Sequence, residues 1–302
     1  FENMSDEDVK EIIPSLRGIS RCSPNTKLRL VTLAQEIGRS VAMTGDGVND
    51  SPALKRSDVG FGMQTGSDVA KEASDIVLTD DNFASVVKAV EPGRTFMHNI
   101  MMFLEFQLPI NISLLILSVL YPIVAVGSLL ASVQILIVNI IMDSLNSLSF
   151  GGEPPKEEYM YEEPIKKGSG LFIRGAKTRI AVSTISFIAL YGVIILSPIS
   201  KMFLTDVEAM TARFALLCFM AVFNGFNIRT DSFNLLKGIR KNKLFGYIAI
   251  SIFMITVVLC NFAGELIKVT PLDFNHWLII VVLAFMVIPV DLVRKAVTKT
   301  NN

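Results

Sequence analysis

The segment Met43-Thr-Gly-Asp46-Gly-Val-Asn49-Asp50 sets two carboxylates four residues apart with a glycine between them. Val41-Ala42-Met43 reads as the end of a strand, and Ser51-Pro52 as the opening of a helix. The acids therefore sit where a strand gives way to a helix. Ligands of parallel α/β sheets gather at the carboxyl ends of the strands. Glycines there let the backbone approach a phosphate, and a carboxylate such as Asp46 can hold Mg²⁺. An ordinary Asp/Gly/Asn turn also explains an isolated quartet of this kind. Upstream, Ser23-Pro-Asn-Thr-Lys27 opens a helix, with Ser23 as N-cap, Pro24 at the first helical position and Lys27 on the first turn. Its ammonium can reach a phosphate at the same sheet edge; a solvated surface lysine is the plainer alternative.

A second group of polar residues lies in apolar sequence. Asn139 and Asp143 are four apart, hence on one helix face. Asp143 is the one acid well inside any long apolar run, and intramembrane acids are functional candidates by default. Glu105 and Asp291 stand nearer the ends of their runs, where both can reach the interface. A hard cation such as Ca²⁺ takes several oxygen ligands, and Asp143 with Asn139 offers a carboxylate and an amide. Asn111 follows Pro109, whose missing N–H and ring predict a kink that frees carbonyl oxygens. An intramembrane Asn also serves simply to bond a neighbouring helix. Asn146 and Ser147 read as packing residues.

The elements that carry these groups fall into two halves. Residues 1–94 alternate strands and helices, with strands at Gly18–Cys22, at Val41–Met43 and at Asp75–Thr79. That order implies a parallel α/β sheet. Residues 95–302 form an all-α bundle of about six apolar runs of membrane-spanning length, near 101–123, 128–149, 180–198, 212–228, 244–263 and 276–293. Half of the 302 residues are hydrophobic and mean hydropathy is +0.51, as in a membrane protein. A formal net charge of +0 argues against a nucleic-acid partner. Cys22, Cys218 and Cys260 are too scattered for a disulfide framework or a zinc site.

Basic residues set the orientation. Lys156, Lys166, Lys167, Arg174, Lys177 and Arg179 follow the second run; Arg229, Lys237, Arg240, Lys241 and Lys243 follow the fourth. The other connections hold little beyond Lys201, Arg213 and Lys268. The basic loops, residues 1–94 and the C-terminal tail are thus expected in the cytoplasm, with His276 and Trp277 as an interfacial anchor.

Ser23-Pro-Asn-Thr-Lys27, Thr44-Gly-Asp-Gly-Val-Asn-Asp-Ser-Pro-Ala-Leu54 and Asp68-Val-Ala-Lys-Glu-Ala-Ser-Asp75 together resemble the phosphorylation domain of P-type ATPases. The resemblance covers nearly all of residues 14–94. It implies a haloacid-dehalogenase-like domain in which Asp46 helps bind Mg²⁺ and Lys27 contacts the transferred phosphoryl group. Asn49 and Asp50 would support the acceptor loop. In that family the phosphorylated aspartate lies upstream in a DKTGT motif. The sequence contains neither DKTGT nor TGES and no nucleotide-binding domain, so the chain alone is expected to be inactive, with ATP handled by the longer parent.

Phe103-Leu-Glu-Phe-Gln-Leu-Pro-Ile-Asn111, Val138-Asn-Ile-Ile-Met-Asp143 and Glu153-Pro-Pro155 resemble plasma-membrane-type calcium ATPases, as does Phe223-Asn-Gly-Phe-Asn-Ile-Arg229. The resemblance implies that Asn111, Asn139 and Asp143 ligate the transported Ca²⁺, with further ligands from a span upstream of Phe1. The second calcium site of the sarcoplasmic-reticulum type uses a Glu where this chain has Leu114, and Phe223-Asn224-Gly225 supplies no acid, so one site is expected. Pro109 departs from both types. Asn224 is expected to touch a neighbouring helix.

The chain is accordingly expected to be the C-terminal part of an ATP-driven calcium-exporting pump. Its partners are membrane lipid and the N-terminal remainder of the pump, and no calmodulin-binding tail is evident. Coupling is expected through a helix at 82–98 that continues into the first span, bending at Pro92-Gly93. The plasma membrane or an intracellular store membrane would hold the pump. The alternatives are a pump for Na⁺, H⁺ or K⁺, and a truncated, non-catalytic membrane fragment.

Overall fold

The computed structural model describes residues 1, 3–125, 127–163 and 175–300, and for residues 142, 143, 299 and 300 only the backbone. Lys166, Lys167 and Arg174, in the basic loop after the second run, lie outside the described residues. The chain divides into two compact units. The first comprises Phe1–Arg94 with Pro155–Gly170, the second Thr95–Pro154 with Leu171–Asn302.

In the first unit, helix α1 (Asp6–Ile12) opens on a capping box: the amide of Asp8 donates to Ser5 Oγ, and Ser5 N donates to Asp8 Oδ2. Helix α2 (Pro24–Glu36) begins as its sequence dictates, with the Ser23 side chain accepting from the amide of Thr26 and Pro24 in the first turn. Strand β1 (Ala42–Gly45) leads through a tight turn into helix α3 (Ser51–Arg56). Strand β2 (Val59–Met63), helix α4 (Asp68–Glu72) and strand β3 (Ile76–Leu78) follow. The strands pair in parallel in the order β1-β2-β3, with Thr44 opposite Phe61 and Phe61 opposite Ile76. Parallel neighbours require a crossover between them, and α3 and α4 are those crossovers. Phe61 and Leu78 bury against Val86 of helix α5 (Phe83–Val124).

Two strand expectations change. Gly18–Cys22 is not a strand: Arg21 takes a left-handed backbone at φ 56, which an extended chain cannot accommodate. Conversely, Val59-Gly-Phe-Gly-Met63 is a central strand that the sequence concealed, because its two glycines erase the alternation of side chains on which a strand is recognised.

Among the described residues, six helical runs are long and apolar enough to cross a membrane: Phe83–Val124, Ser132–Gly151, Ala176–Leu196, Asp206–Arg229, Lys243–Phe262 and Phe274–Thr298. The second consists of α6 (Ser132–Ile137), a π-helical segment over Val138–Met142, and α7 (Asp143–Gly151). Next come α8 (Ala176–Leu196), α9 (Asp206–Arg229) and α10 (Lys243–Phe262); the sixth run is α11 (Phe274–Phe285) joined to α12 (Val287–Thr300) at Met286. Helix α9 is the most enclosed, its face from Thr211 to Val222 continuously buried. Phe150 of α7 packs on Phe106 of α5 and Phe245 of α10, with ring centroids 5.5 and 6.1 Å apart, and Phe226 of α9 meets Phe245 edge-on at 5.0 Å.

Helix α5 is one helix through Pro92, Gly93 and Pro109, so the chain continues helically past the positions where a bend and a kink are expected. A proline inside a helix forfeits one hydrogen bond and bends the axis without having to end the helix. Among the described residues, π-helical backbone lies in the second run.

Candidate functional site

Two clusters of predicted site residues are described separately, one in each unit. In the first, β1 delivers Asp46 to its carboxyl end. Asp46 is exposed, and its backbone carbonyl accepts from the amide of Ser67 at 2.7 Å. Ser67 is the N-cap of α4, accepting from the amide of Ala70, so the β2–α4 loop props the acidic turn. A Cβ on Gly66 would stand 2.8 Å from the Asp46 carbonyl, so only glycine allows that approach. The sequence reading missed this support; Gly66-Ser67 directly ahead of Asp68 was its signal.

The turn then coils into a single 3₁₀ turn, Val48–Asp50. Asn49 points outward, whereas Asp50 is buried. The ammonium of Lys27, from the first turn of α2, donates to Asp50 Oδ1 at 2.5 Å. Lys27 and Asp50 are thus brought together, and Asp46 stands open beside them in sequence. Burial pushes the Asp50 carboxyl up, but the Lys27 hydrogen bond and charge, with the amide of Gly47, outweigh it and hold the group below its usual range. The same bond to Asp50 holds the Lys27 ammonium above its ordinary value, against partial desolvation. Gly45 is the point of closest approach: a Cβ there would fall 2.5 Å from Asp50 Cβ.

These features fit a Mg²⁺-assisted phosphoryl site. Magnesium keeps most of its waters and needs only one or two protein carboxylates beside a phosphate. Asp46 is the open carboxylate of the turn, since Asp50 is committed to Lys27. Among the described residues no cluster of three or more His, Cys, Asp or Glu side chains forms a preassembled metal cage.

In the second unit, Asn139 lies inside the π segment and Asp143 begins the helix after it. The side chain of Asp143 is outside the described residues. Asn111 and Asn139 are both exposed. Ser132, Asn139, Ser144 and Ser147 form an open polar stripe along the second run. Leu114, one turn after Asn111, is buried. A π turn leaves backbone groups out of the regular ladder, a common feature of ligand sites. Asn146 is buried, and its carbonyl accepts from Ser149. Asn224 bonds a neighbouring helix, accepting from Ser183 Oγ at 3.3 Å.

Glu105 and Asp291 do not reach outward as expected. Both are buried and ion-paired, Glu105 with Arg179 at 3.1 Å and Asp291 with Arg294 and Lys295 at 2.5 and 3.1 Å. A buried carboxylate must find a cation when it has no water. Glu153 does the same with Arg229, which also lies over the Phe245 ring. Asn242 donates to Glu153 Oε1 and Ser149 O, and Asn99 to the carbonyls of Gly151 and Glu153.

Comparison with known proteins bears on both units. The family model described as "Cation transporting ATPase, C-terminus" matches residues 127–297, and that of haloacid dehalogenase-like hydrolases matches residues 29–90. Calcium-transporting ATPase 8, plasma membrane-type, of Arabidopsis thaliana is 36% identical over 98% of this chain, which covers 28% of that protein. Calcium-transporting ATPase 2 of Schizosaccharomyces pombe is 35% identical over 98% of the chain, covering 24% of that protein. The plasma membrane calcium-transporting ATPase mca-1 of Caenorhabditis elegans is 36% identical over 93% of the chain, again 24% of its length. The chain therefore spans about a quarter of the length of these relatives. With a haloacid-dehalogenase-like sheet followed by six helices of membrane-spanning length, the chain belongs to the P-type cation-transporting ATPases, of which it carries C-terminal sequence.

Proposed function

We propose that the chain is the C-terminal part of an ATP-driven pump that exports Ca²⁺ from the cytoplasm through a single intramembrane ion site. The observation that carries this reading is the π segment over Val138–Met142, which sets Asn139 and the start of α7 at Asp143 in irregular backbone within an apolar run. A carboxylate, an amide and carbonyls released from the helix ladder are the oxygen ligands a hard cation takes. Asn111 on the first run adds a second amide. The exposure of Asn111 and Asn139 fits a site completed by spans of the longer parent, because an uncovered amide facing lipid is costly. The names of the relatives favour calcium over Na⁺, H⁺ or K⁺. Leu114 and the acid-free Phe223-Asn224-Gly225 favour one site over two.

On the cytoplasmic side, Lys27 would hold the transferred phosphoryl group and Asp46 would hold Mg²⁺, which supplies charge neutralisation to phosphate oxygens when bound. Asp50, paired with Lys27, sets the ammonium's position and keeps it charged. The aspartate that is phosphorylated would come from the upstream part of the pump. Residues 83–124 form one helix from the phosphorylation sequence to Asn111, a direct route for coupling.

The test is ATP-dependent uptake of radiolabelled calcium into vesicles carrying the full-length parent, with and without Asp143→Ala. Uptake in the wild type and its loss in the variant are expected. Wild-type vesicles that hydrolyse ATP yet accumulate no calcium would sink the calcium assignment.

A further inference from the structure

The second unit buries several basic side chains, and their partners differ in one respect. Arg229 pairs with Glu153, Arg294 and Lys295 with Asp291, and Arg179 with Glu105. Arg213 of α9 is the exception among the described residues. It is 7% exposed, and among the described residues the hydrogen-bond and ring partners of its guanidinium are neutral. Nη1 donates to the Tyr121 hydroxyl at 2.6 Å and Nη2 to the Ser128 carbonyl at 3.4 Å, the guanidinium lies over the Tyr121 ring, and Nε has no acceptor. The nearest acid in sequence on its own helix, Glu208, is committed to the amide of Leu204 and to His276.

A guanidinium stays charged at any physiological pH, and an unneutralised charge inside an apolar unit is costly to keep. Bonding Tyr121 and Ser128 does not require it, since an uncharged Gln side chain donates equally well to a hydroxyl and a carbonyl. What the arginine adds is a fixed positive field. Its location gives that field a target. Tyr121 ends the first membrane run and Ser128 lies in the turn that follows, at the opposite end of α9 from Arg229 and its basic loop. Tyr121 stands ten residues beyond Asn111 on the same helix, about 15 Å along its axis.

We propose that Arg213 is an electrostatic gate at the outer mouth of the cation path, weakening binding of a divalent cation that arrives from the outer side. The inference rests on the calcium-pump reading above. A pump must release its ion into a high concentration, and a fixed cation near the exit lowers affinity there without any moving part. Taking that 15 Å as the separation and an effective dielectric of about 20, one charge acting on a divalent ion changes its affinity by about fortyfold.

The test uses the full-length parent in sealed vesicles, phosphorylated by inorganic phosphate while calcium is titrated on the outer face. Calcium bound from that side blocks this phosphorylation. The half-inhibitory calcium concentration is expected to fall about fortyfold in R213Q and to stay near wild type in R213K. S128D sets a carboxylate beside the guanidinium at an exposed position and is expected to lower the value in the same direction, which decides the matter should R213Q fail to fold. Wild-type values in both R213Q and S128D overturn the inference, as does an R213K value equal to that of R213Q, because the charge is then not the cause. A wild-type pump whose phosphorylation ignores outer calcium overturns the calcium reading itself, a separate and recognisable result.

Discussion

Replacing Gly45 by alanine tests whether the acidic turn positions Lys27 through Asp50. A methyl at residue 45 would lie 2.5 Å from Asp50 Cβ, 3.0 Å from Cγ and 3.1 Å from Oδ2. Carbon atoms rest about 3.5–4.0 Å apart, so Asp50 must retreat by about 1 Å. It has little room to do so. Asp50 is 7% exposed, it closes the 3₁₀ turn, and it holds the Lys27 ammonium at 2.5 Å. Overpacking of a closed site costs about 1–3 kcal/mol, to which the weakened Lys27 bond adds. A shift of about 1 Å in a group that positions a phosphoryl contact lowers a rate about a hundredfold. The assay is phosphoenzyme formation from ATP by the full-length pump, with thermal inactivation followed on the same preparation. Gly45→Ala is expected to phosphorylate about a hundredfold more slowly and inactivate at lower temperature, while the calcium concentration for half-maximal phosphorylation stays unchanged. A variant with the wild-type rate and thermal stability would refute the reasoning, because the turn would then tolerate a displaced Asp50.

The Lys27–Asp50 pair also sets a pH dependence. Asp50 titrates below its usual range in the folded chain, so its contribution is present above the unfolded carboxylate value and is lost as pH falls through the lower folded one. Lys27 titrates above its usual range, so its contribution is full below the unfolded lysine value and is lost as pH rises through the folded one. Thermal stability should be flat across the neutral range and fall on the acid side, and Asp50→Asn should flatten that acid limb; an unchanged limb would count against the pair. Lys27 is partly exposed, which screens the effect. In the second unit, Arg229→Leu strands the buried Glu153 carboxylate and should cost about 3–5 kcal/mol in detergent unfolding, whereas the double replacement Glu153→Leu with Arg229→Leu should cost less. Equal losses in the two would show that the charge pair is not what the site requires.

Much of this chain could be read before any coordinates. The six apolar runs were legible because a membrane span needs an unbroken length of apolar residues, a property of composition alone. The caps at Ser23 and the start at Ser51-Pro52 were legible because capping acts within a few residues. The tight turn of Thr44-Gly-Asp46-Gly-Val-Asn49-Asp50 between a strand and a helix was legible through residue types and spacing. Tertiary structure decided the rest. Residues 59–63 become a strand because β1 and β3 flank them, and two glycines hid that from any local pattern. Arg21 turns left-handed, which ends the strand expected at 18–22. The π-helical backbone at Val138–Met142 had no local signal in the sequence. Glu105 and Asp291 pair inward, and among the described residues no carboxylate pairs with Arg213. Spacing along a chain fixes which residues share a helix face; which charges neutralise one another depends on contacts between residues far apart in sequence, which only the folded chain brings together.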